Sequence, residues 1–214
     1  DLLRELGVEL ERLVYIGDDL ETISMEVSTW SRRVDAVITS GGVGPTHDDV
    51  TVDAVAAAFG VGVVQHPDLE AMIRAWWGER FTEAALRMAA IPDGARLLYS
   101  GDALLPLVVH HNVYLMPGIP RLFEAKLGAL RTELEGRPPT VRSVYLRSDE
   151  SSIAPRLGRV ALECSEVKIG SYPRFESEDH RVWITIEGLV GDNVNAAIER
   201  LLELLPDDEV VRVE

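Results

Sequence analysis

One segment of thirteen residues, 39–51, combines three closely spaced glycines with two adjacent aspartates. The glycines are Gly41, Gly42 and Gly44, and the aspartates are Asp48 and Asp49. Glycines let the backbone turn tightly and aim N–H groups at an anion, and a following helix adds the positive end of its dipole. Carboxylates beside an anion are favourable when a divalent cation lies between them. The segment therefore predicts an anion and metal site in a strand–loop–helix.

The same loop also has a structural interpretation, in which it is a tight turn and Asp49 accepts N–H bonds from the first turn of the next helix. Ligands of open α/β sheets bind beyond the carboxyl ends of the strands. The loop follows the apolar strand pattern at 36–39 and would lie at such an end. This position favours the functional interpretation.

Asp18 follows a second apolar run, 13–16, which we predict to be a short buried strand. That placement would bring a further carboxylate to the same sheet edge as Asp48 and Asp49. The spacing of Asp18 and Glu21 also matches a capping box that starts a helix. Both roles are open from the sequence.

A second loop, Pro117–Pro120, follows another predicted strand. Pro117 and Pro120 make the bend rigid, and Gly118 leaves room for a flat group to approach the backbone. The alternative is a stiff connector between strand and helix.

In the first loop, His47 is a candidate to bind a phosphate or donate a proton near neutral pH, or it is simply an exposed loop side chain.

The apolar patterns along the chain predict strands alternating with helices, which implies a mostly parallel sheet covered on both faces. A Gly-Arg-Pro-Pro run at 136–139 predicts a domain boundary. Beyond it the pattern β-α-β-β-α-β predicts a small split βαβ domain. Its segment 170–175 is predicted to be a turn, or a lid that carries Tyr172 and Arg174 towards a nucleotide.

Composition limits the partners. The net charge of −15 argues against nucleic acid, because a phosphate backbone requires a basic face. No apolar run approaches the roughly 18 residues that cross a membrane. The single cysteine, Cys164, cannot form an internal disulfide, so we expect a reducing, cytoplasmic setting. The opening residues resemble the end of a helix, and we expect the chain to be part of a longer protein.

Several of these segments resemble one known family. Residues 40–51 are similar to the signature loop of the molybdopterin-binding (MoaB/Mog-like) domain, in the variant found in CinA-like proteins and in the N-terminal domain of FAD synthases. Segments 17–23 and 112–120 resemble the second and third motifs of that family. Segment 167–173 resembles a stretch after the core domain in the FAD synthase branch.

The resemblance implies a three-layer α/β/α core with a mostly parallel sheet over residues 1–136, without the family's opening strand, followed by the small α+β domain over 137–214. It also implies a homo-oligomer. Phosphate- or ligand-binding residues would be Ser40, Gly41, Gly42, Gly44, Pro45, Thr46, His47, Thr51, Pro117 and Gly118. The catalytic carboxylates would be Asp48, Asp49 and Asp18, with Asp48 and Asp49 as metal ligands.

The activity that we expect is a metal-dependent pyrophosphatase acting on ADP-ribose or FAD. The cofactor would be Mg²⁺, Mn²⁺ or Co²⁺, with K⁺ and molybdopterin as further candidates. Many CinA-like members have glutamate where this chain has Leu122, and Arg121 stands where FAD synthase relatives tend to carry an acid. These departures motivate two alternatives, a non-catalytic nucleotide- or pterin-binding module in an oligomer and a molybdenum-cofactor biosynthesis protein.

Overall fold

The protein is described here from a computed structural model, which covers residues 2–99, 101, 104–134 and 136–214. The chain forms two compact units. We call residues 10–135 the glycine-loop unit, and residues 1–9 together with 136–214 the C-terminal unit. Sequence analysis places the division after residue 136 and assigns residues 1–9 to the first domain, whereas their contacts lie in the C-terminal unit.

The helices and strands, in chain order, are α1 (Leu2–Glu5), α2 (Leu20–Trp30), β1 (Val37–Ser40), α3 (Thr51–Phe59), β2 (Val63–Gln65), α4 (Pro67–Trp77), β3 (Ala90–Pro92), β4 (Arg96–Leu98), β5 (Leu107–His110), β6 (Val113–Met116), α5 (Pro120–Glu133), β7 (Thr140–Leu146), α6 (Glu150–Glu163), β8 (Lys168–Pro173), β9 (Val182–Gly188), α7 (Gly191–Leu204) and β10 (Val210–Val213). None of the described helices combines the length and the apolar character that crossing a membrane requires.

The main sheet of the glycine-loop unit has the strand order β1-β6-β5-β4. β1 and β6 are parallel, with Ser40 opposite Met116, whereas β5 pairs antiparallel with both β6 and β4. The sheet is therefore mixed, although the alternation of strands and helices predicts mostly parallel pairing. Only His111 and Asn112 join β5 to β6, and so short a connection permits a hairpin but no parallel crossover.

Helices cover both faces of this sheet. Side chains of α2 and α3 pack against one face of β6, in a core that includes Ile23, Val27, Ala54, Val55, Val113 and Leu115. On the opposite face, the buried Tyr114 interacts with Glu133 at the end of α5. The three-layer α/β/α arrangement expected from the family resemblance is confirmed.

The predicted strand at 13–16 is wrong. These residues form no regular element, and Leu13 and Tyr15 are 67% and 90% exposed. A strand persists only when a neighbouring strand satisfies its backbone groups. Among the described residues, β1 pairs with β6 alone, and no strand pairs with 13–16.

The sequence of residues 68–90 also predicts a single helix, which the structure interrupts. α4 ends at Trp77, and Gly78 follows with a positive φ of 51°. Two 3-10 helices, Gly78–Arg80 and Glu83–Ala89, then lead to β3. β3 pairs antiparallel with β2, a two-stranded sheet that sequence analysis missed because both strands have only three residues.

The C-terminal unit has a four-stranded antiparallel sheet in the order β10-β7-β9-β8. α6 and α7 contribute to the core on one face, which confirms the predicted split βαβ domain. The first residues of the chain are tied to this unit. The Gly136 N–H donates to the Leu6 carbonyl at 2.9 Å, and Lys168 pairs with Glu9 at 2.6 Å.

Candidate functional site

The two predicted loops leave the same edge of the main sheet. β1 and β6 are parallel neighbours that end at Ser40 and Met116, so the loops that follow them start side by side. The Gly41 N–H donates to the Met116 carbonyl at 3.0 Å. A Cβ atom on Gly118 would lie 3.1 Å from the Gly41 Cα, so the two backbones touch where neither residue carries a side chain. The sequence contains both glycines but gives no sign that they meet.

Thr51, the first residue of α3, fixes the shape of the glycine loop through two hydrogen bonds. Its hydroxyl donates to the Gly41 carbonyl and its N–H donates to the Gly42 carbonyl, both at 2.9 Å. Gly42 has a φ of +66°, and a Cβ there would collide with the Thr51 hydroxyl. Thr51, a predicted ligand-binding residue, is 5% exposed and holds the loop in the structure.

Asp49 also stabilises the loop. Its carboxylate accepts the Thr46 N–H at 2.8 Å and the Thr46 hydroxyl. Partial burial alone would raise the pKa of Asp49, but hydrogen bonds from Thr46 and from the Gly44 N–H outweigh it, and the pKa lies below its ordinary value. Val50 precedes α3 without a side-chain cap, so Asp49 does not cap the helix as the structural interpretation expects.

Asp48 presents a carboxylate to solvent. Its side chain is 63% exposed, and the His47 ring lies 3.9 Å away. A hydrogen bond from the Thr46 hydroxyl, followed by the Asp48 N–H, lowers the pKa of Asp48. The carboxylate is therefore ionised at neutral pH and open to a cation.

The structure does not bring Asp18 into this arrangement. Asp18 forms no hydrogen bond or ion pair with any residue that the structure describes. The predicted capping box is wrong as well, because Asp19 caps α2 by accepting the Thr22 N–H at 2.8 Å. The first helical position is one residue later than the Asp18–Glu21 spacing predicts.

The other predicted ligand-binding residues surround the loop at varying exposure. Ser40 is the exposed last residue of β1, Pro45 and His47 are exposed within the loop, and Pro117 directly follows β6. No hydrogen bond from the Gly42 or Val43 N–H groups occurs within the described part of the chain. These two backbone donors are available to an anion.

Sequence analysis missed one cation at the loop. Arg87 lies in the second 3-10 helix, and its Nη2 is 3.5 Å from the Asp49 carbonyl oxygen. Its charge also helps to lower the pKa of Asp49. A separation of 38 residues leaves no local pattern that could have linked them.

The loop offers few protein ligands to a metal ion. Within the described ranges, no three or more His, Cys, Asp or Glu side chains cluster in a way that could hold a metal ion. The Asp48 carboxylate is 63% exposed, whereas the Asp49 carboxylate accepts the Thr46 N–H and is partly buried. Mg²⁺ commonly uses one or two carboxylates together with substrate phosphates and water, rather than an all-protein cage.

Comparison with known proteins agrees with these motifs. The family described as "Probable molybdopterin binding domain" matches residues 1–136, and "FAD synthase, middle domain" matches 138–214. The chain is 32% identical over 232 residues to a "Probable FAD synthase" of Caenorhabditis elegans and 33% identical over 194 residues to a "CinA-like protein" of Gemmatimonas aurantiaca. These alignments cover 95% and 83% of this chain but only 44% and 45% of the relatives, so the chain spans less than half their length.

A solved structure shows the same fold. CinA from Thermoplasma acidophilum superimposes with a TM-score of 0.56 and 31% identity, over 62% of this chain and 82% of that chain. The α/β fold of this chain is thus found in a solved structure of a related protein. The chain belongs to the family of molybdopterin-binding (MoaB/Mog-like) domains, joined here to a domain of the FAD synthase middle type.

Proposed function

We propose that the glycine-loop unit binds a nucleotide with a diphosphate linkage, such as ADP-ribose or FAD, and hydrolyses that linkage with a divalent cation. The observation that carries the proposal is the pair of N–H groups at Gly42 and Val43, which bond to no described residue, in the same loop as the exposed carboxylate of Asp48. Backbone donors in a glycine turn suit a phosphate. The names of the FAD synthase and CinA-like relatives also support a nucleotide ligand.

Each residue of the loop would have a distinct role in binding or hydrolysis. The N–H groups of Gly42 and Val43 orient one phosphate, and Arg87 offsets negative charge near Asp49. Asp49 and Thr51 keep the loop in its binding shape, and Asp48 holds the cation. A bound divalent cation would supply Lewis-acid activation of the phosphoryl group and of water.

The test is release of AMP from ADP-ribose or FAD by this chain with Mg²⁺, Mn²⁺ or Co²⁺, with and without K⁺. Asp48→Asn should lower turnover at least about 100-fold, because it removes the carboxylate for the cation. Asp18→Asn is the matched control and should retain activity, since Asp18 forms no hydrogen bond or ion pair with a described loop residue and no metal-holding cluster with Asp48 and Asp49. Absence of turnover with every metal, or equal turnover in the two variants, would contradict the proposal.

A second candidate is binding without hydrolysis, as a nucleotide- or pterin-binding module. The observation that favours it is the small carboxylate set, in which Asp49 accepts hydrogen bonds from Thr46 and no three described His, Cys, Asp or Glu side chains form a metal-holding group. Calorimetry separates the two candidates. Nucleotide binding without AMP release supports the module, and AMP release supports the enzyme. Transfer of AMP to molybdopterin would instead indicate molybdenum-cofactor biosynthesis.

A further inference from the structure

We infer that the helix-free face of the C-terminal sheet is a second binding site, which stacks a planar aromatic heterocycle carrying one phosphate, as in a mononucleotide. The inference is independent of the proposed function, because every residue that carries it belongs to the C-terminal unit. It rests on a row of aromatic side chains, a cavity beside them and an arginine that pairs with no described carboxylate.

The aromatic row crosses the sheet at one level. Tyr172, Trp183, Tyr145 and Arg212 occupy facing positions on β8, β9, β7 and β10. Neighbouring residues of the same strands, such as Val144 and Ile184, are buried in the core with α6 and α7. Because side chains alternate between the faces of a strand, the row lies on the face without helices.

The rings in this row are held in place. Tyr145 and Trp183 are nearly parallel, with an interplanar angle of 9° and centroids 6.4 Å apart, and Tyr172 lies 5.1 Å from Trp183. The Trp183 indole N–H donates to the Ser143 hydroxyl at 2.9 Å, which fixes the ring. Aromatic side chains on the central strands of an open sheet form stacking platforms for planar bases.

A cavity of about 630 Å³ borders two residues of this row, and its volume is within the range typical of small-molecule sites. Tyr145 and Trp183 line it from the sheet, and Arg174, Phe175 and His180 line it from the β8–β9 connection. Phe175 is 95% exposed, although a free phenyl ring in water is unfavourable. A ring inserted between Phe175 and the sheet would bury apolar surface on both sides.

Charge limits the ligand to a small anion. The Arg174 guanidinium lies 5.0 Å above the Trp183 ring and forms no ion pair with a described carboxylate. By contrast, Arg181 pairs with Asp149 at 2.9 Å, and Arg212 pairs with Asp179. Among the described residues that line the cavity, Arg174 is thus the one arginine, and one cation suits one phosphate group.

A polynucleotide does not fit this face. Glu176 lines the same cavity, and the chain carries a net charge of −15. Single-stranded nucleic acid needs a positively charged groove along its backbone. The aromatic row therefore accommodates the ring of a free nucleotide rather than a strand of RNA.

The test titrates the full chain into FMN and follows quenching of flavin fluorescence, with riboflavin as a probe without phosphate and AMP as a competing purine. Phe175→Ala should weaken FMN binding about tenfold, the usual effect of losing one stacking partner. Arg174→Gln should weaken FMN about fivefold but leave riboflavin unchanged, because only FMN offers a phosphate. Tyr99→Ala, an exposed aromatic in the glycine-loop unit, is the matched control.

Phe175 is 95% exposed, so Phe175→Ala should leave the domain folded and keep the test valid. Trp183→Leu is a second variant of the same site. Binding of FMN or AMP that both variants weaken supports the site. The inference is overturned if neither ligand binds up to about 1 mM, a very weak affinity. It is also overturned if Phe175→Ala binds like Tyr99→Ala, or if a single-stranded oligonucleotide binds more tightly than FMN.

Discussion

Replacing Gly42 with alanine tests whether Thr51 shapes the glycine loop. Gly42 has a φ of +66°, and an alanine there costs about 1–2 kcal/mol for the left-handed conformation alone. The new methyl group would also collide with the Thr51 hydroxyl, whose hydrogen bond to the Gly41 carbonyl is 2.9 Å long. Displacing Thr51 costs about 1–2 kcal/mol more, because it breaks one or both of its bonds to the loop.

Gly60→Ala is the matched control, because Gly60 has a φ of +68° and open space where the methyl group would lie. The difference between the two variants therefore isolates the collision with Thr51. In the double variant Gly42→Ala/Thr51→Ala the hydroxyl is absent, so its loss of stability should be smaller than the sum of the two single losses.

Urea unfolding followed by tryptophan fluorescence measures these effects. The chain has four tryptophans, of which Trp30, Trp76 and Trp77 lie in the glycine-loop unit, so the signal reports mostly that unit. With a slope of about 2 kcal/mol per M, Gly42→Ala should unfold about 0.5–1 M earlier than Gly60→Ala. Equal midpoints for the two variants, or strictly additive losses in the double variant, would refute the reasoning.

Three further predictions concern charged groups. Asp49→Asn should destabilise the protein by about 1 kcal/mol at neutral pH. Because the pKa of Asp49 is lowered in the folded state, the stability that its carboxylate contributes should disappear as the pH falls through that pKa. An acid unfolding series of both proteins measures this loss. Asp19→Ala should lower the free energy of unfolding in urea by about 1 kcal/mol, because it removes the cap of α2. Asp18→Ala should leave that free energy almost unchanged, and equal losses in the two variants would contradict the assignment of the cap to Asp19. Burial lowers the pKa of Lys126 to about 8. Between that pH and the ordinary lysine pKa, the unfolded state binds more protons than the folded state, so the free energy of unfolding of the wild type should rise by about 1–3 kcal/mol. Lys126→Met should abolish that rise in pH-dependent unfolding midpoints, and a rise that persists would contradict the assignment.

Most of the fold was predictable from local patterns. The apolar spacing of α2 and α3, the alternation of elements and the β-α-β-β-α-β order of the C-terminal unit all appear in the structure. The pairing of β5 was not predictable from alternation, since it depends on a connection of only two residues. The predicted strand at 13–16 failed for a related reason, because apolar character does not by itself supply a partner strand.

The sequence predicts the residue types of the candidate site but not the contacts that each of them makes. The glycines and carboxylates of 40–51 stand together in the sequence, and their types alone indicate a turn that can meet an anion. Whether a carboxylate is free or engaged is a matter of geometry, since Asp48 is open to solvent while Asp49 is bound by Thr46. The sequence offers the same residue type at both positions.

The sequence by itself determined the strand–loop–helix around the glycines, the helices and the order of elements in the C-terminal unit, because each depends on residues close together in the chain. Only the tertiary structure decided that Gly118 meets Gly41, that Arg87 lies beside Asp49, and that an aromatic row crosses the open face of the C-terminal sheet. Those contacts join distant segments, and they follow from strand pairing and register, which no local spacing encodes.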